Sequence, residues 1–211
     1  TCLAEEASPP RRVVCFDYRG RGLSDHDSDW THYNILTEAE DVIAGLDKFG
    51  IEQATLIGTS RGGLIAMVIA AMRPALLRAV ILNDVGPFIP KAALERIGEY
   101  VTAPPVFENL NAAGAYLRET LADFGELSDA DWSEMTQHSV VREPDGTYRM
   151  HYDPAIANAF DGPIEDVDLW AIYDAIKCPT LVLRGARSDL LTREVAEEMT
   201  QRGPKADLIE F

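Results

Sequence analysis

The sequence predicts an α/β fold: a mostly parallel sheet flanked by helices, with an inserted and mainly helical cap. Three observations carry this. Short apolar runs of strand length alternate with stretches of helical period. The run 54–58 passes through a Gly-x-Ser-x-Gly turn straight into an apolar, helix-like run. The rhythm then stops near Gly86 and resumes only near Thr180, far beyond the length of an ordinary connection.

Val13-Val14-Cys15-Phe16-Asp17 reads as a buried parallel strand running into the glycine-rich loop Arg19-Gly20-Arg21-Gly22. Thr37 and Glu40 have capping-box spacing, and Leu36, Ala39, Val42, Ile43, Leu46 and Phe49 recur at helical period until Gly50. Ala54 to Gly58 is the next strand. The helix after it, to about Met72, is apolar nearly all round and therefore expected to be buried. Ala79 to Asn83 is a further strand.

Prolines 87, 90, 104 and 105 open the cap, whose helical patterns include Tyr116, Leu117, Leu121 and Phe124. Glu143-Pro144-Asp145-Gly146 is a turn signal inside a short hairpin. A helix over 167–176, a strand over 180–184, a helix over 192–202 and a strand from Ala206 complete the pattern. The expected division is core over 1–86, cap over 87–168 and core again over 169–211.

Composition narrows the function. The net charge of −16 repels phosphate backbones and anionic lipid surfaces, which argues against nucleic-acid and membrane partners. No apolar run reaches membrane-span length. Cys2, Cys15 and Cys178 have neither disulfide-framework nor metal-site spacing. Cys15 and Cys178 read as small core residues, and the low cysteine usage fits a reducing cytoplasm. No metal or organic cofactor is implied. Self-association into a homo-oligomer is left open.

The chemistry centres on Gly58-Thr59-Ser60-Arg61-Gly62. A tight strand-to-helix turn lifts a serine hydroxyl off the sheet edge, and glycines on both sides let the two backbones approach. A serine nucleophile needs a histidine base, a carboxylate to orient that base, and donors where the oxyanion forms.

With the segment Val13 to Asp25 and the loop Leu183-Arg184-Gly185-Ala186-Arg187-Ser188-Asp189, the elbow resembles the α/β-hydrolase superfamily, in its Ser-His-Asp esterase-like branch. The resemblance covers nearly the whole chain. It implies Ser60 as nucleophile, the Arg61 backbone N–H as one oxyanion donor, Gly58 and Gly62 as elbow glycines, and Asp189 as the triad acid. Asp84 competes for the acid's role, because some members carry it after the preceding strand.

The family's oxyanion loop has no counterpart in Thr1 to Pro10, and none of His26, His32, His138 and His151 stands where its histidine falls. The second oxyanion donor is expected before Val13 and the histidine beyond Phe211. The chain reads as a piece of a longer enzyme, truncated at both ends and nearly inactive alone. Arg19 and Arg21 read as structural loop residues paired with acids.

The expected reaction is hydrolysis of small or medium carboxylic esters through an acyl-Ser60 intermediate. The cap aromatics Phe107, Tyr116, Phe124, Trp132, Trp170 and Tyr173 can contribute to an apolar site. Alternatives are C–C bond hydrolysis or enol-lactone hydrolysis in aromatic degradation, and non-catalytic ligand binding.

Overall fold

A computed structural model describes residues 2–211. After a short helix α1 (Cys2–Glu5), the core runs α2 (Ile35–Lys48), β1 (Ala54–Thr59), α3 (Arg61–Met72) and β2 (Leu77–Asn83). The cap follows as β3 (Phe88–Ile89), α4 (Lys91–Val101), α5 (Leu110–Thr120), α6 (Asp129–Ser139), β4 (Val140–Arg142), β5 (Tyr148–Met150) and β6 (Val167–Asp168). The chain returns through α7 (Trp170–Asp174), β7 (Thr180–Arg184), α8 (Arg193–Met199) and β8 (Asp207–Glu210).

The main sheet has the order β1-β2-β7-β8, every pair parallel. Its register sets Thr59 opposite Asn83 and Asn83 opposite Leu183, so β1, β2 and β7 end side by side. α3 packs on β1 and β2 and against α2 and α7. Its apolar circumference explains this: Ile65, Ala66, Met67, Val68, Ile69 and Ala70 are all buried. Burying each large apolar side chain contributes about 1.5–3 kcal/mol relative to exposure. Val80, Leu82, Val182, Leu191, Ala196 and Met199 continue the same core.

The cap enters and leaves through one neck, where β3 pairs antiparallel with β6. Phe107, Ala113 and Val140 form its own small core. β4 and β5 make the expected hairpin around 143–146. The loop after Tyr18 holds the cap's far side. Gly22 N–H donates to His151 O at 3.0 Å, Asp153 N–H donates to Gly20 O at 2.7 Å, and Tyr33 Oη donates to Asp153 Oδ2 at 2.5 Å.

Four sequence expectations are corrected. Residues 13–17 form no strand: they find no ladder partner among the described residues, and Val13 and Cys15 are exposed, so Cys15 is not a core residue. Helix α2 starts a turn earlier than the Thr37–Glu40 box implies. Asn34 is its N-cap and accepts from Leu36 and Thr37 N–H at 3.1 and 3.0 Å. Residues 167–168 belong to the neck strand, with α7 beginning only at Trp170. Phe124, expected among the apolar cap aromatics, is 61% exposed, whereas Trp132 and Tyr173 are core residues.

Candidate active site

Ser60 joins β1 to α3 at φ 49° and ψ −120°, a region that side-chain-bearing residues rarely occupy. Strain of this kind costs about 1–3 kcal/mol and persists only where surroundings over-determine it. Here they do. Ser60 N–H donates to Asn83 O at 3.0 Å, and Ser60 O accepts from Gly63 N–H at 2.8 Å. The Ser60 hydroxyl does not cap the helix it begins.

The turn is tight because of its glycines. A Cβ on Gly58 would collide with the Gly62 carbonyl group and lie 2.5 Å from Gly63 N. One on Gly62 would lie 2.8 Å from Tyr18 Oη. Burial and the neighbouring Glu38 push the Tyr18 phenol above its ordinary pKa, so it stays a neutral group.

The backbone N–H groups of Arg61 and Gly62 precede the first hydrogen bonds of α3, whose earliest donors are Gly63 and Leu64. Their position beside Ser60 suits an anion-stabilising role. The Arg61 side chain turns back toward α2. Nε donates to Glu38 Oε2 at 2.7 Å and Nη2 to Oε1 at 2.9 Å, while Nη2 also reaches Tyr33 O at 3.0 Å. Glu38 is wholly buried and accepts a further contact from Arg21 Nη1 at 3.2 Å. Glu38 escaped the sequence reading. Its signal was its place four residues before Val42, on the buried stripe of α2.

The two candidate acids differ. Asp84 is the first residue past β2, at φ 53°, half-buried, and it accepts from Gly185 N–H at 3.1 Å and Ser188 Oγ at 2.9 Å. Asp189 lies in the loop after β7 with its side chain 57% exposed. Both of its oxygens are held by Arg96 of α4, at 2.7 Å each.

Arg19 pairs with Asp27 and Asp41, and Arg21 with Glu38, so both serve the loop structure expected of them. The histidines lie outside β1, β2, β7 and the turns that end them. His26 faces Asp153, His32 faces Asp27 and Asp29, His138 sits in the last turn of α6, and His151 follows β5. Among the described residues, no group of three or more His, Cys, Asp or Glu could hold a metal ion, and no helix is long and apolar enough to cross a membrane.

The model of the alpha/beta hydrolase family matches residues 1–211. The chain is 35% identical over 209 residues to 3-hydroxybutyrate-oligomer hydrolase of Cupriavidus necator, covering 94% of this chain and 71% of that one. It is 26% identical to 2-hydroxymuconate semialdehyde hydrolase of Pseudomonas putida, covering 97% and 70%. A crystal structure of an alpha/beta hydrolase from Novosphingobium aromaticivorans superposes with a TM-score of 0.83 at 37% identity, covering 92% and 70%. The chain thus spans about 70% of the length of each of these proteins. A parallel sheet, a strained serine at its strand-to-helix turn and an inserted cap are joined here by sequence kinship, and the chain belongs to the alpha/beta hydrolase family.

Proposed function

We propose that this chain carries the nucleophile and cap of a serine hydrolase acting on small or medium carboxylic esters. The observation that carries the reading is Ser60 itself: a strained serine beside the N–H groups of Arg61 and Gly62, which precede the first hydrogen bonds of α3. In the proposed reaction a histidine base takes the Ser60 proton as Oγ bonds to the ester carbonyl carbon. The Arg61 N–H stabilises the resulting oxyanion. Collapse breaks the C–O bond, and the alcohol leaves with the proton from the base. Water then releases the acid from acyl-Ser60 by the same steps.

The kinship with a 3-hydroxybutyrate-oligomer hydrolase supports short oligoesters of hydroxy acids as the substrate class. Acidic residues outnumber basic ones in the cap, which favours neutral esters over multiply charged acids. A second reading, hydrolysis of a C–C bond in a ring-fission dienoate, is favoured by the kinship with 2-hydroxymuconate semialdehyde hydrolase.

The test is the intact mass of the natural protein before and after a fluorophosphonate probe, followed by rates on p-nitrophenyl butyrate, a 3-hydroxybutyrate dimer and a ring-fission dienoate. One adduct, lost in Ser60→Ala, with turnover of the esters is expected. An adduct that survives Ser60→Ala would refute the serine's role. Turnover of the dienoate alone would replace the ester reading with the second one.

A further inference from the structure

We infer that three cap tyrosines, Tyr100, Tyr116 and Tyr152, form a polar roof over Ser60 whose hydroxyls donate to ester carbonyls of the substrate, and so select short oligoesters of hydroxy acids over simple alkyl esters. The inference rests on the ester reading above and names what selects the substrate at that same site.

Two anchors fix where these residues stand. On one side Arg21 meets Tyr152 in an antiparallel backbone bridge, and Arg21 Nη1 donates to Glu38 Oε1 at 3.2 Å, on the carboxylate that also grips Arg61 beside Ser60. On the other side Arg96 of α4 holds both oxygens of Asp189, in the loop after β7, at 2.7 Å, and its guanidinium also bonds to the Tyr100 hydroxyl. β1 and β7 flank β2 and all three run parallel, so both anchors lie at the sheet edge where Ser60 sits. Tyr100 and Tyr152 thus stand at the two ends of the span above the elbow. Tyr152 Oη donates to the carbonyl of Val101, the neighbour of Tyr100, at 3.3 Å. Tyr116 of α5, its ring 5.4 Å from that of Phe107, is near enough for its phenol to act on both of the others.

Each hydroxyl has a hydrogen to give. Among the described residues Tyr116 Oη has no hydrogen-bond partner and no buried side-chain oxygen is left unsatisfied, so this hydroxyl reaches open space. Tyr100 accepts from a guanidinium, which leaves its own hydrogen for another acceptor. The Tyr152 bond is long for an O–H donor, and a closer carbonyl displaces it. Burial, more than any neighbouring charge, pushes the Tyr100 phenol up and the Tyr152 phenol up to about 12, so both remain neutral donors.

Neutral donors suit uncharged carbonyls. A 3-hydroxybutyrate oligomer presents an ester carbonyl in each linkage along its chain. The alkyl chain of a butyrate ester presents none beyond the scissile group and leaves the phenols facing carbon.

The experiment compares kcat/KM on a 3-hydroxybutyrate trimer with kcat/KM on p-nitrophenyl butyrate, for the natural full-length protein and for Tyr100→Phe, Tyr116→Phe and Tyr152→Phe. Each variant should lower the trimer-to-butyrate ratio roughly three- to tenfold, the worth of one hydrogen bond, with the loss in KM because the carbonyls bound by the roof are not the reacting one. A role in cap packing alone would lower both substrates together and leave the ratio at the wild-type value. That result in Tyr116→Phe overturns the proposal even if the other two variants fail to fold, because its hydroxyl bonds to nothing else among the described residues. Wild-type protein that turns over neither ester would remove the ester reading, and the proposal with it, an outcome distinct from an unchanged ratio.

Discussion

Arg61, the residue that follows the strained serine, is locked by a two-pronged ion pair to Glu38, a carboxylate with no solvent exposure. The helix that carries the elbow is thereby bound to α2 by charge as well as by packing. Glu38→Gln should lower stability by about 3 kcal/mol, because it leaves the half-buried guanidinium groups of Arg61 and Arg21 without their counter-charge. Urea unfolding followed by circular dichroism measures this. An unchanged midpoint would mean the pair contributes no more than an exposed one.

Ser60 stores strain at the turn between β1 and α3. Ser60→Gly should raise stability by about 1 kcal/mol, since glycine adopts positive φ without a Cβ clash, while abolishing probe labelling. Ser60→Ala, which keeps the strain, should abolish labelling with little gain. Equal stability of the two variants would show the conformation to be unstrained.

Gly58 has no room for a methyl group. Gly58→Ala would drive Cβ into the Gly62 carbonyl and against Gly63 N, both main-chain groups that cannot rotate away. A loss of about 3 kcal/mol, together with lost labelling, is expected from overpacking at this junction. Wild-type thermal stability in this variant would contradict the tight-turn geometry.

The cap latch should respond to acid. Burial disfavours charge on Asp153, but hydrogen bonds from Tyr33 Oη and Ala155 N–H outweigh it and hold the carboxyl below its ordinary range. A depressed folded pKa contributes stability that is present above the unfolded value of about 3.9 and is lost as pH falls through the folded value. Acid titration should therefore loosen the cap below about pH 4. Asp153→Asn should lower stability at neutral pH and flatten that acid dependence. An acid profile identical to wild type would place the dependence on other carboxylates.

Much of the architecture was legible in local pattern. The β1–turn–α3 junction, the strands ending at Asn83 and Arg184, and the 143–146 hairpin follow from apolar period and turn chemistry, which act over a few residues. The segment 13–17 had the apolar run of a strand, but strand formation requires a partner, and no local pattern supplies one. The Thr37–Glu40 spacing suggested a cap that Asn34 provides, since both positions present plausible capping groups within one turn.

By itself the sequence determined the alternation of strands and helices, the position of the strained serine and the interruption by a cap. Each rests on side-chain period, glycine placement or chain length. The tertiary structure alone decided the fate of the charges. It buried Glu38 beneath Arg61, gave Asp84 neutral donors from the β7 loop and paired Asp189 with Arg96, 93 residues away. Burial and pairing depend on which strands lie side by side, and residues distant along the chain meet only when the sheet has formed.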